Sequence, residues 1–276
     1  MTDPLILATA FLTGACIGSF LNVCIARWPA KQSVVKPRSR CPHCSHEIGW
    51  AENIPLVSWL VLRARCRGCG KSISAQYPAV ELMTALGWLA AFWYFADPFV
   101  ALRIAVFGTI LLGIAVTDAK HYLIPDEFTV FGLVWALGTA AAAVFVFGDA
   151  PPFAGLVDAI YGACVGAGAI AIVAWLGEVA LKKEAMGFGD VTLMAVIGAA
   201  LGPSLALLSV FVGALLGAVV FVGVVMPIGW LRSRRAGAAF EPPLVPFGVF
   251  LAPAAMLTLL WGRAAIDWYK AVILMP

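Results

Sequence analysis

Charge is scarce in this sequence. Only 12% of its 276 residues are Asp, Glu, Lys or Arg, while 62% are hydrophobic and the mean hydropathy is +0.96. A water-soluble domain is excluded, because no globule of this length could hide so much apolar surface. The N-terminus lacks a basic run and an obvious cleavage site, so the first apolar run is expected to be a retained span and not a secretory signal peptide. No internal repeat or low-complexity tract is evident.

What charge there is falls unevenly. Of 18 Lys and Arg, nine lie between Arg27 and Lys71. Six more are Lys120, Lys182, Lys183, Arg232, Arg234 and Arg235, leaving only Arg103, Arg263 and Lys270. A span needs ~20 apolar residues to cross ~30 Å of hydrocarbon. On that measure the chain is an all-α polytopic membrane protein with about eight transmembrane helices. They cover residues 5–26, 77–95, 99–117, 127–147, 153–177, two spans within 191–230, and 245–261. The pair in 191–230 is divided at Gly202-Pro203-Ser204, with one of the two short. In this topology the fifteen clustered cations share one side, which the charge rule makes cytoplasmic. The expected domains are a first helix (1–27), a cytoplasmic insert (28–76) and a seven-helix membrane domain (77–276).

The insert holds two C-x-x-C pairs, Cys41-Pro42-His43-Cys44 and Cys66-Arg67-Gly68-Cys69, 21 residues apart. A cytoplasmic loop is reducing, so a metal is expected there rather than disulfides. Four thiolates can surround one structural Zn²⁺, folding a segment too short to build its own core. His43 and His46 are alternates or neighbours of the ligands. Cys16, Cys24 and Cys164 lie in apolar runs and read as packing residues.

Two acids stand out. Asp118 ends the third span. Asp190 follows Gly187-Phe188-Gly189 at the start of the sixth, where the glycines allow a bend and close approach to a ligand. Lys182, Lys183 and Glu184 lead into this stretch. Either Asp alone fits a helix cap or an interfacial charge. Together, at one depth on one side, they fit a pair that shares one proton. The ionised member can activate water while the protonated one donates to a carbonyl oxygen. Asp126, after Pro125, reads as the cap of the fourth span. Glu81 and Glu178 lie near cytoplasmic ends of spans, and Glu81 is a candidate third acid. Gly14 and Gly18 fit either close helix packing or a substrate groove. Two rival classes stay open: a transporter or proton channel using both Asp as ion sites, and a scaffold whose knuckles bind partners.

Several stretches together resemble the bacterial type IV prepilin peptidases. This family comprises bifunctional leader peptidases and N-methyltransferases of the GxGD class of membrane aspartyl proteases. The stretches are Gly18-Ser19-Phe20-Leu21-Asn22-Val23, both Cys knuckles, Asn53 to Leu60, Tyr77 to Leu82, Asp118 with Leu123-Ile124-Pro125-Asp126, and Gly187 to Asp190. The resemblance implies that Asp118 and Asp190 are the catalytic pair, with Asp126 outside it. It implies cleavage after a Gly in a prepilin or pseudopilin at the cytoplasmic face of the inner membrane. It also implies methylation of the new N-terminus from S-adenosylmethionine. No glycine-rich nucleotide loop marks the methyl-transfer site; Glu52 to Leu60 and Glu81 are candidates. Membrane lipid is an expected partner, headgroups included for the basic loop, and nucleic acid is not.

Overall fold

The computed structural model describes residues 3–148, 151–182, 186–236 and 245–274. Lys183 and Glu184 of the loop before Gly187 lie outside the described residues, as do two residues of the 148–152 turn. Ten α-helices occur among the described residues, with no strand. They are α1 (Pro4–Arg27), α2 (Val57–Val61), α3 (Gln76–Tyr94), α4 (Pro98–His121) and α5 (Asp126–Ala142). Then come α6 (Leu156–Leu181), α7 (Phe188–Leu201), α8 (Pro203–Val220), α9 (Met226–Ala236) and α10 (Gly248–Tyr269).

Six segments are long and apolar enough to cross a membrane: Pro4–Ala30, Pro98–His121, Asp126–Phe147, Leu156–Ala180, Pro203–Arg234 and Gly248–Ile273. Eight were expected; the other two expected spans coincide with α3 and α7, which fall short of that measure. α3 has the length, but Gln76, Glu81 and its Tyr and Trp residues dilute its hydropathy. α7 has only 14 residues, about 21 Å at 1.5 Å per residue.

The chain forms two compact units, divided at Asp118 within α4. In the first, α1 packs along α3 through its small residues. A Cβ on Gly14 would lie 2.8 Å from the Ala85 Cα, and one on Gly18 2.7 Å from the Glu81 Cα. Close packing therefore accounts for this GxxxG pair. α3 is tied to α4 by Trp88 Nε1 donating to Thr109 Oγ1 at 3.0 Å. Arg103 of α4 is buried with its guanidinium over the Phe99 ring.

The second unit is built around α7, whose residues Leu193, Met194 and Val196–Leu201 are all buried. α6 lies against it with almost no gap. Gly162 and Gly166 of α6 abut the carbonyl oxygens of Gly198 and Met194, at contacts that leave no room for a Cβ. A short helix enclosed by apolar neighbours must satisfy its own ends. Here the Ala154 amide donates to the Ala200 carbonyl at 2.9 Å. Gly202, at φ +83°, makes the turn into α8 that a Cβ would strain.

Two boundaries differ from expectation. α4 does not end at Asp118 but runs three residues further, to His121. Asp126 does not cap α5: Pro125 is the cap residue and no side chain bonds the helix start. Pro125 can end the preceding loop without a donor, and Asp126 becomes an acidic residue of the first turn, where the helix dipole favours it.

Candidate active site and metal centre

The insert folds as two copies of one knuckle. The Cys41 amide donates to the His46 carbonyl and the Ser45 amide to Cys41. Twenty-five positions on, the Cys66 amide donates to Lys71 and the Gly70 amide to Cys66. Ser45 and Gly70, equivalent positions, are both left-handed at φ 57° and 70°. Each knuckle is closed by a bridge, Arg40 with Glu47 and Arg65 with Ser72. This backbone repeat was invisible in the side chains, because it needs only the C-x-x-C and one residue tolerant of positive φ.

The four sulfurs lie within 4.8 Å of one another. The Cys41–Cys69 and Cys44–Cys66 sulfur pairs are each 3.9 Å apart. Two sulfurs bound at about 2.3 Å to one tetrahedral Zn²⁺ stand about 3.8 Å apart, so this cage fits that ion. The His43 and Cys44 amides, aimed at the Cys41 sulfur, pull its thiol down to about 6. Only Cys41 and Ser58 are buried between residues 28 and 75, so this segment has little apolar core of its own, and its four-cysteine cluster could hold a metal ion. Neither histidine joins the cluster. His46 Nε2 lies 3.0 Å from Glu52 Oε2, and its ring also packs on Gly68. His46 first, with the Gly49 amide and Arg67, holds the Glu52 carboxyl below its usual range. His43 Nδ1 lies 3.4 Å from Lys71 Nζ.

In the second unit the two expected acids converge. Asp118, on the last turn of α4, is only 5% exposed. The Gly248 and Val249 amides at the start of α10 face its carboxylate, yet its Oδ2 is buried with no partner at hydrogen-bonding geometry. Gly248 is needed for this fit, because a Cβ there would lie 2.7 Å from Asp118 Oδ2 and 3.0 Å from Ile124. Asp190, half-buried in the first turn of α7, lies within electrostatic range of Asp118 and turns back to the Gly187 amide. Ile124 joins the two sides. It touches Gly248, and a Cβ on Gly189 would lie 2.9 Å from the Ile124 Cβ.

The two glycines before Asp190 thus differ. Neither has a left-handed φ. Gly189 is required by close approach. Gly187 has an ordinary extended backbone at φ −75° and, among the described residues, nothing within 4 Å of a Cβ. Gly248 and Ile124 were not expected as site residues. Their only sequence signals are a glycine opening an apolar run and an Ile inside the loop after Asp118. Two carboxyls within electrostatic range of each other and both withdrawn from water favour holding one proton between them, which suits general acid–base work on a carbonyl group.

Glu81 sits elsewhere, in the first unit. It is 8% exposed, and its Oε2 accepts the Leu56 amide at 2.7 Å. Leu56 bends at φ 63° to make that bond, a conformation with a cost of about 1–3 kcal/mol. Glu81 thereby anchors the Glu52 to Leu60 segment. Both border a cavity of about 420 Å³ that also includes Ser19, Asn22, Trp59 and Tyr77. That volume lies within the usual range of small-molecule sites, ~300–1,000 Å³.

Comparison with known proteins gives the family. Residues 12–95 match the Bacterial Peptidase A24 N-terminal domain and residues 105–222 the Type IV leader peptidase family. A prepilin leader peptidase/N-methyltransferase of Myxococcus xanthus is 37% identical over 99% of this chain and 77% of its own. One of Aeromonas hydrophila is 36% identical, over 94% and 92% of the two chains. One of Pseudomonas aeruginosa is 38% identical, over 91% and 89%. No solved structure matches. With the paired acids in one matched region and the four-cysteine cage in the other, the chain belongs to the type IV leader peptidase family.

Proposed function

We propose that this protein removes the leader of a type IV prepilin or pseudopilin after a Gly, then N-methylates the new N-terminal residue. The observation that carries the peptidase half is the convergence of Asp118 and Asp190 around Ile124 and Gly248. One carboxylate takes a proton from water as its oxygen attacks the scissile carbonyl. The other carboxyl gives its proton to the carbonyl oxygen; on collapse it takes that proton back as the carbonyl re-forms, while the first carboxyl passes its newly gained proton to the leaving nitrogen and the C–N bond breaks. A transporter would hold such acids near the middle of its spans. Asp118 is instead on the last turn of α4 and Asp190 on the first of α7.

In this reading residues 28–76 are a zinc domain and residues 77–276 the peptidase domain. Cys41, Cys44, Cys66 and Cys69 would hold a structural Zn²⁺, which cross-links the two knuckles and takes no part in hydrolysis. The basic segments set the acid pair and the insert on the cytoplasmic face of the inner membrane. The cavity beside Glu81 would take S-adenosylmethionine, which supplies an activated methyl group when bound. Trp59 and Tyr77 offer it apolar walls, and Asn22 and Glu81 offer acceptors.

The test is incubation of the purified protein with a prepilin and methyl-labelled S-adenosylmethionine. The expected product is one peptide cut after its leader Gly and carrying one labelled methyl on the new N-terminus. An uncut substrate would sink the peptidase reading, and a cut but unlabelled one the methyl-transfer reading.

A further inference from the structure

The wall of the first unit's cavity contains two polar groups that the fold leaves incomplete. Asn22 of α1 is 4% exposed. Its Nδ2 donates to the Tyr77 carbonyl at 3.0 Å and the Gly18 carbonyl at 3.3 Å. Two carbonyl partners fix the amide's orientation, since only the NH₂ end can donate. Oδ1 is then left buried with no partner. A buried acceptor without a donor costs about 1–3 kcal/mol.

Glu81 lies one turn along α3 from Tyr77, against Gly18, which is one turn along α1 from Asn22. The two side chains therefore occupy neighbouring levels of the same helix crossing. Glu81 Oε2 takes the Leu56 amide; Oε1 has no hydrogen bond among the described residues. The other carboxylate on the cavity, Glu52, is matched by His46 and Arg67. Glu81 has no cationic partner among the described residues. A buried carboxylate without a cation is an uncompensated charge, and such groups are normally paired.

We infer that Asn22 and Glu81 form an acceptor site for a primary ammonium group inside this cavity. The pair asks for positive charge and for N–H donors together. A sulfonium has the charge but no donor, so it does not satisfy Asn22 Oδ1. The inference rests on the methyl-transfer reading, which offers two sources of such a group. One is the amino-acid end of the methyl donor. The other is the amino terminus freed by cleavage.

The test is calorimetric binding to the zinc-loaded full chain in detergent, for wild type, Glu81→Gln and Asn22→Ala. Gln keeps an oxygen for the Leu56 amide while removing the charge and replacing the second acceptor oxygen with an NH₂ donor, and zinc content reports that each variant is folded. The first probe pair is S-adenosylhomocysteine and 5′-methylthioadenosine, which lacks the amino-acid end. The second is a product peptide with a free amino terminus and its N-acetylated form. The expected result is that wild type prefers the amine-bearing member of one pair. Glu81→Gln reduces its affinity by about 10- to 150-fold, the range for a hydrogen bond to a charged group, and leaves the amine-free member unchanged. Which pair responds identifies the source. If both variants retain the wild-type preference, or wild type shows none in either pair, the inference is wrong. Failure of the methyl-transfer reading is separate: it would show as no labelled methyl on the cut product, while the peptide pair still decides the ammonium site.

Discussion

Adding one methyl group at Gly189 would move Asp190. The Cβ of Gly189→Ala would lie 2.9 Å from the Ile124 Cβ, where carbon atoms normally rest about 3.5–4.0 Å apart. A Cβ is fixed by its backbone, so Ile124, 6% exposed, cannot swing aside by changing rotamer. The start of α7 must retreat by about 0.6–1.1 Å, and Asp190 is the next residue. A misplacement of about 1 Å in a reacting group costs on the order of 10²-fold in rate, and overpacking of this kind about 1–3 kcal/mol in stability. Gly187→Ala is the matched control, because among the described residues nothing lies within 4 Å of the added carbon. The assay is cleavage of a prepilin in detergent, with thermal unfolding of each variant alongside. Gly189→Ala should cleave about 10²-fold more slowly at temperatures where it is folded, and Gly187→Ala should match wild type in stability and rate. A Gly189→Ala enzyme at the wild-type rate would refute the packing argument, as would equal losses in the two variants.

Three other substitutions or treatments follow from the same geometry. Gly198→Ala drives a Cβ into the Gly162 carbonyl and should lower the unfolding temperature by the equivalent of about 1–3 kcal/mol; an unchanged melting curve would contradict the α6–α7 contact. Elemental analysis should find one zinc per chain, and chelation should open residues 28–76 to protease, since structural zinc contributes roughly 10–16 kcal/mol in small zinc peptides and this segment buries little else; a metal-free insert equally resistant would be contrary. Asp126→Asn removes only a first-turn charge, worth about 0.3–1 kcal/mol, and should leave cleavage within about twofold; loss of activity would make Asp126 part of the site.

The sequence was most legible where burial in lipid imposes a simple rule. Spans needed only length and apolarity, so α1, α4 and α5 were placed within a few residues, and the break at Gly202-Pro203 divided α7 from α8. Helix ends were less legible. α4 passes Asp118 because Ala119 and Lys120 continue a helix as well as they begin a loop, and the charge at Asp118 resembled a boundary. The four cysteines were readable from spacing alone. Their repeated backbone pattern was not, since Ser45 and Gly70 share a conformation but no chemistry. Asp118 and Asp190 were recognisable as acids in the wrong solvent. What surrounds them was hidden, because Gly248 is 130 residues from Asp118 in the chain and acts through its backbone amide and the lack of a side chain. Asn22 was legible as a motif residue, yet its unpaired oxygen depends on where the Tyr77 carbonyl falls.

The central claim is that Asp118 and Asp190 do one job together. The direct measurement is single-turnover cleavage of a prepilin by Asp118→Asn, Asp190→Asn and the double variant, each shown to be folded and zinc-loaded. Loss of one acid–base group typically costs about 10²–10⁴-fold, and groups acting as a unit are strongly non-additive. Each single variant should fall by that amount and the double variant no further. A single variant cleaving at the wild-type rate, or losses that multiply in the double, would contradict it.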